Sequence, residues 1–310
     1  MTIDVNALGN EAIADGVDMT KAQTGGDFTP PAEGPCMVRL VGYVELGKQA
    51  GSYQGKPTLK DQVQLTFELS GKNHAPREHE GKVYPHKIVL TETLSLNEKA
   101  RFFKLFQRLN YDQSAKHMVQ LVGKHFKARV IHRKSKGTDG KERIWPELYD
   151  KAAGTYTIEP PRVEIVDQDE TSDTYMQPTG EYKAIPCREQ MSEQRVFLWN
   201  RPSLEQWASL FIEGEYEEKK NADGTVKSPA KSKNVIQNKI KNAANFKGSP
   251  IEQLLLTLGF DFSKLTGDVD PDDLDVDDQQ EEVNAAAADK AVAETPKGDD
   301  ADAALSAMGV

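Results

Sequence analysis

Basic and aromatic residues alternate along two neighbouring segments, a pattern suited to binding phosphates and flat rings. In residues 124–133, strand alternation places five side chains on one face: His125, Lys127, Arg129, Ile131 and Arg133. In residues 143–150 it groups Arg143, Trp145, Glu147 and Tyr149. Cations neutralise phosphates, and rings stack on unpaired bases. Trp145 taken alone could equally be a core residue, but the clustering favours a binding surface for a nucleic-acid single strand.

The elements that must hold these residues follow the order β-β-β-α-β-β. Residues 36–47 alternate with Val38, Leu40, Val44 and Leu46 on one face and Arg39, Val41, Tyr43 and Glu45 on the other. Residues 61–71 and 82–94 form strands two and three, and 124–133 and 143–150 form strands four and five. A helix over 98–110, capped by Asn97, presents an apolar stripe of Phe102, Leu105, Phe106 and Leu109.

This order predicts a mainly β domain with accessory helices, an OB-fold-like five-stranded barrel with its helix between strands three and four. An unrelated antiparallel β-sandwich or a split α+β domain is the alternative. In OB-folds the loops between strands one and two and between strands four and five flank the oligonucleotide groove. The candidate nucleic-acid-binding residues are therefore Arg39, Tyr43, Tyr53, Lys56, Lys60, Lys87, Lys127, Arg129, Arg133, Lys134, Lys136, Lys141, Arg143, Trp145 and Tyr149.

Charge is strongly segregated along the 310 residues, whose formal net charge is -10. Residues 34–168 carry 23 basic and 15 acidic groups, whereas residues 261–310 carry 3 and 15. We expect a disordered arm over 1–33, the OB-fold-like domain over 34–168, a small helical module over 180–260 and a disordered acidic tail over 261–310. The tail should compete with nucleic acid for the basic domain.

The helical module is predicted from three amphipathic segments. Ser203 and Gln206 have capping-box spacing, residues 231–246 form a second candidate, and Ser249, Pro250 and Glu252 mark the start of a third helix. The aromatic residues here, Phe197, Trp199, Trp207, Phe211 and Phe246, are expected to pack in a core.

The element order, the loop pair and the acidic C-terminal tail together resemble the single-stranded DNA-binding proteins of tailed bacteriophages and, more loosely, bacterial ones. The segments VFLWNRPSLEQWASLFI and IKNAANFKGSPIEQLL are similar to the distal region of such phage proteins. The resemblance implies a protein that coats and protects single strands in replication and recombination, with a tail that recruits replication proteins. This chain departs from the pattern because it ends in ALSAMGV and not in an acidic tip.

Motifs for other chemistry are absent from the sequence. There is no GxxxxGK[ST] loop, strand-linked GxGxxG, HExxH or CxxC pair, so we expect no enzyme activity, cofactor or metal. The six histidines are scattered, which favours surface or base-stacking roles over metal ligation. Cys36 and Cys187 lie far apart and no apolar run is long enough for a membrane span, so a reducing cytoplasm is expected.

Two other functions are compatible with the same sequence. The β-domain could bind protein, as in a phage structural or scaffolding protein, and would then show no salt-dependent DNA affinity. An unfamiliar enzyme such as a nuclease would need convergent carboxylates, and Glu92 is the only acid of the basic domain whose strand parity suggests burial.

Overall fold

The structure is a computed structural model that describes residues 29–259 except 54, 80, 81, 138, 139, 141, 213, 217, 221–223 and 229. Most of the predicted N-terminal arm and all of the predicted acidic tail therefore lie outside the described residues.

A mainly antiparallel sheet forms the centre of the fold. In chain order the first seven strands are β1 (Gly34–Tyr53), β2 (Lys56–Ser70), β3 (Arg77–His79), β4 (Lys82–Tyr84), β5 (Lys87–Thr93), β6 (His125–Lys136) and β7 (Glu142–Glu147). The sheet order is β5-β2-β1-β6-β7, and β3 pairs with β4 in a separate hairpin. The neighbours β6-β1-β2-β5 have the spatial order of a Greek key, in which the fourth strand returns beside the first.

Short elements surround this sheet. Helix α1 (Arg101–Leu109) and a 3-10 turn (Met118–Leu121) connect β5 to β6. The following strands are β8 (Tyr149–Asp150), β9 (Thr155–Tyr156), β10 (Arg162–Val166), β11 (Pro178–Ala184) and β12 (Arg195–Phe197), of which β12 pairs in parallel with β1. The last elements are α2 (Leu204–Ser209), β13 (Glu215–Tyr216), β14 (Lys219–Lys220), β15 (Val226–Ser228), β16 (Lys231–Ser232), α3 (Val235–Lys241) and α4 (Pro250–Thr257).

The expected mainly β class with accessory helices is confirmed, with the helix between the third and fourth long strands. A closed barrel is not formed within the described residues, because β5 and β7 are the two ends of the sheet order. Helix α1 starts later than predicted: Ala100 and not Asn97 occupies its N-cap. Its apolar stripe is in place, with Phe102, Leu105 and Leu109 buried.

A bulge in β1 decides which side chains enter the main core. Before it, Cys36, Val38 and Leu40 belong to this core; the register then shifts between Leu40 and Gly42, and Tyr43 becomes the next core residue. One extra residue in a strand moves the following side chains to the opposite faces. The prediction that Val38, Leu40, Val44 and Leu46 share one face is therefore wrong.

The second face of β1 is covered by the C-terminal part of the chain. Val44 and Leu46 pack in a second core with residues from β12 and from α2, α3 and α4. Phe197, Trp199, Trp207 and Phe246 are buried in this core, as predicted, whereas Phe211 is exposed. The predicted caps are also present, since Ser203 accepts from the Gln206 N–H and Ser249 from the Glu252 N–H. Through this second core, helices α2, α3 and α4 pack on the sheet.

Gly47 of β1 lies directly against Trp199 of this second core. Its φ is +74°, and a Cβ there would lie 2.3 Å from Trp199 Cζ3. Gly55 has the same φ of +74° but open space around it.

We expect Gly47→Ala to lower the free energy of unfolding by about 1 to 3 kcal/mol more than Gly55→Ala, because only Gly47 adds overpacking to the cost of positive φ. Urea denaturation of both variants measures the difference. Equal losses at the two glycines would contradict the packing seen at Trp199.

Candidate nucleic-acid interface

The hairpin of β6 and β7 carries most of the predicted cations. Phe126, Ala128 and Val130 of β6 face the main core, as the alternation predicts. Beyond Val130, β6 leaves β1 and pairs only with β7, from Ile131 opposite Glu147 to Lys136 opposite Glu142. The exposed cations described here are Arg129, Lys134, Lys136 and Arg143, while Lys127 and Arg133 are half-buried.

Carboxylates lie beside several of these cations. Lys134 Nζ is 2.9 Å from Glu142 Oε1, Lys127 Nζ is 2.8 Å from Glu159 Oε2 and Arg133 Nε is 2.5 Å from Glu147 Oε1. Of these three pairs, Lys134–Glu142 is the one exposed on both sides, with side chains 65% and 51% exposed, and solvent-exposed pairs contribute about 0 to 1 kcal/mol. A phosphate can therefore replace such a carboxylate at little cost.

Trp145 is not available for stacking. Its side chain is only 4% exposed, its Nε1 donates to Ser135 Oγ at 2.8 Å, and Arg133 Cζ lies 5.8 Å from the ring centroid. The expectation that this ring faces solvent is wrong, because the neighbouring strand supplies both a hydrogen-bond acceptor and a covering guanidinium.

Tyr149 is half-buried and already in contact on two sides. Its ring meets Tyr156 edge-on with centroids 5.0 Å apart, and Arg101 Cζ lies 4.3 Å from its centroid. A base could reach this ring only by displacing the Arg101 guanidinium.

Arg39 and Tyr43 of β1 serve the fold. Tyr43 is fully buried and its hydroxyl donates to Glu45 Oε1 at 2.9 Å, so the prediction of an accessible ring is wrong. Arg39 donates to the carbonyl oxygens of Gly123 and Arg188 at 2.8 and 2.7 Å. Arg39 thus joins β1 to the turn before β6 and to the segment that precedes β12.

Residues 185–192 cover the outer face of β1 and β2, and the chain then joins the sheet itself, where β12 pairs with β1. The Glu68 carboxylate accepts the N–H groups of Met191 and Ser192 at 3.0 and 2.7 Å, and Glu45 Oε2 accepts the Trp199 N–H at 2.8 Å. Glu45 and Glu68 are buried, as is Glu92, the one acid for which strand parity suggested burial. The sheet face that strand alternation predicted for oligonucleotide binding is thus occupied by the chain itself.

Lys87 lies at the edge of this covered face. It stands opposite Glu68 in the β2–β5 register. Burial, together with the nearby Arg195, lowers the pKa of the Lys87 ammonium to about 8. This half-buried lysine is a weak candidate for phosphate binding.

The extension of the β1–β2 hairpin, residues 47–62, forms an arm with exposed lysines. Lys56 and Lys60 are exposed, and Lys48 Nζ lies 2.7 Å from Asp61 Oδ2. The base of the arm is fixed to the helices, since the Lys48 N–H donates to Asn245 Oδ1 and the Ala244 N–H donates to the Lys48 carbonyl. Tyr53 pairs with Lys56 through its backbone, but its side chain and the whole of Lys141 lie outside the described residues.

Two predicted surface histidines are buried instead. His74 is fully buried with Nε2 2.8 Å from the Ala32 carbonyl oxygen, and its ring meets His86 edge-on at 6.3 Å. Desolvation, with Arg77, His74 and Arg188 nearby, lowers the pKa of His86 to about 4. These imidazoles are therefore neutral at pH 7 and are structural.

Glu92 is buried, as its strand parity predicted, and it has a structural role. Its carboxylate accepts from the Tyr156 hydroxyl at 2.5 Å and pairs with the Arg101 guanidinium. Within the described ranges, no group of three or more His, Cys, Asp or Glu side chains could hold a metal ion. No described helix has the length and apolarity that crossing a membrane requires.

No family model, no curated protein and no solved structure matches this chain.

Trp145→Ala should lower the free energy of unfolding by about 3 kcal/mol, because it removes a buried indole and leaves Ser135 without its donor. Affinity for a single strand, corrected for the folded fraction, should stay at the wild-type value. Thermal unfolding and fluorescence anisotropy on the same samples measure the two quantities. Normal stability with weakened binding would show that the indole stacks on a base.

Proposed function

We propose that this chain binds single-stranded DNA without sequence preference and coats it during phage DNA replication or recombination. The observation that carries the proposal is the pair of basic hairpins that extend from a sheet with a Greek-key strand order. The hairpin over residues 125–147 has seven Lys or Arg and three Asp or Glu residues, and the arm over 47–62 has three and one. Clustered cations supply the sequence-independent part of nucleic-acid affinity.

The strand order supports an OB-fold-like domain of the partly open type. When β1, β2, β5, β6 and β7 are numbered one to five along the chain, they lie in the order three, two, one, four, five, and the helix falls between strands three and four. OB-folds are five-stranded, partly open Greek-key barrels that bind oligonucleotides near the loops of the first and fourth hairpins. The two basic hairpins of this chain are the counterparts of those loops.

Because the chain itself covers the outer face of β1 and β2, we propose that the DNA does not bind there. Buried Glu68 holds the covering residues 185–192 on that face through the N–H groups of Met191 and Ser192, so the DNA strand runs over the exposed side of β6 and β7 and along the arm. The exposed Glu142 carboxylate beside Lys134 is exchanged for a phosphate on binding.

The acidic tail over residues 261–310 fits the same function in two ways. Its 15 acidic groups compete with DNA for the basic hairpins, and the tail recruits replication proteins. Competition of this kind weakens as salt rises, because exposed charges are screened beyond about 10 Å at 0.1 M salt.

A structural or scaffolding role, with protein as the partner, is the second candidate. The observation that favours it is the β10–β11 hairpin, which exposes the apolar side chains of Val163, Ile165 and Tyr182. Such a protein would bind its partner through this hairpin and show no affinity for single strands.

A titration at several salt concentrations distinguishes these functions. We expect a labelled oligodeoxythymidine to bind with an affinity that falls steeply with salt, and duplex of the same length to bind more weakly. Replacing Lys56 and Lys136 by Ala should reduce the slope of log affinity against log salt by about 1.4, roughly 0.7 for each lost phosphate contact.

Lys72→Ala with Lys151→Ala is the matched control, because it removes two exposed lysines outside both hairpins. This control should keep the wild-type slope. Equal slopes for both double variants would place the phosphate contacts elsewhere, and the absence of binding at low salt would reject the proposed function.

A further inference from the structure

Two exposed tyrosines and an arginine meet beside the start of β6. Arg162 Cζ lies 4.1 Å from the centroid of the Tyr182 ring and 6.0 Å from that of Tyr111. Tyr111 is 40% and Tyr182 50% exposed, and Arg162 is also exposed. The strand pattern did not point to them, since Tyr111 follows a helix and Tyr182 lies in the range 180–260 that was predicted as a helical module.

Rigid elements hold this cluster in place. The Tyr111 ring stands at 90° to the core residue Phe126, with centroids 6.4 Å apart. Arg162 and Tyr182 lie on the paired strands β10 and β11. The chain just before β10 is held to β6 by two backbone hydrogen bonds between Lys127 and Glu159, of 3.1 and 2.7 Å. The rings are therefore positioned before any ligand arrives.

We propose that Tyr111, Arg162 and Tyr182 form a stacking platform for unpaired bases of the bound single strand. Bases stack on the faces of aromatic rings and on guanidinium planes, and every base offers such a face. All three side chains keep a large exposed surface on which a base can stack. This inference rests on the proposed single-strand binding and names the rings that carry it.

Two lysines near the platform are placed to contact the phosphates of a DNA strand whose bases stack there. Lys124 Nζ lies 3.2 Å from Oδ2 of Asp112, the residue next to Tyr111, and Lys127 follows Phe126 on β6. Their weak exposed or half-exposed pairs with Asp112 and Glu159 leave both ammonium groups able to contact phosphates.

The test compares an oligodeoxythymidine with an abasic strand of equal length, which keeps the phosphates but has no bases. Tyr111→Ala and Tyr182→Ala should each weaken binding of the oligodeoxythymidine about tenfold, because one base loses its stacking partner. Binding of the abasic strand should not change. Tyr111→Trp and Tyr182→Trp should bind at least as well as wild type, since a larger flat ring is retained.

Tyr175→Ala is the control, because Tyr175 is 44% exposed and lies in the loop that connects β10 to β11. It should leave both affinities unchanged. The platform is overturned if wild type binds the oligodeoxythymidine and the Tyr111 and Tyr182 alanine variants bind it equally well. It is also overturned if these variants lose the same affinity for the oligodeoxythymidine and for the abasic strand. Failure of wild type to bind either strand overturns the proposed function itself.

Discussion

Strand β1 is buried on both of its faces, and the arrangement of the remaining structure depends on this. Its inner face enters the main core through Val38, Leu40 and Tyr43, and its outer face contacts the helices through Val44 and Leu46. The bulge at Gly42 makes this possible, because it turns an apolar stripe from one face to the other within a single strand. Both cores are therefore joined by the same backbone.

Two buried carboxylates hold the chain between β11 and α2 against the sheet. Glu45 and Glu68 would be costly inside a protein without partners, and each accepts backbone N–H groups from residues 191–199. Irregular chain can lie on a sheet only if its own polar groups are satisfied. The covering segment thus depends on these acids, and it leaves the two projecting hairpins as the exposed basic surface.

Local patterns predicted the elements well. Phe126, Ala128 and Val130 alternate into the core as expected, and Ser203 and Ser249 cap their helices through contacts within three residues. These features are decided by neighbouring residues, so a single sequence contains the necessary information.

Side-chain exposure was predicted less well, because it depends on contacts between distant residues. The bulge in β1 places Tyr43 in the core. A glycine inside a strand often marks a bulge, so Gly42 could have indicated it. Trp145 is satisfied by Ser135 across a hairpin, and Arg39 by the carbonyl of Arg188, 149 residues away. No periodicity records such partners.

The central claim is that a single strand contacts the exposed hairpins and not the covered face of β1 and β2. Photo-crosslinking of a bromouracil-substituted oligonucleotide to the full chain, followed by peptide mass spectrometry, tests it most directly. The account predicts crosslinks in residues 125–147, in the 47–62 arm and around Tyr111 and Tyr182. Crosslinks concentrated in residues 185–192 and the strand residues beneath them would contradict it.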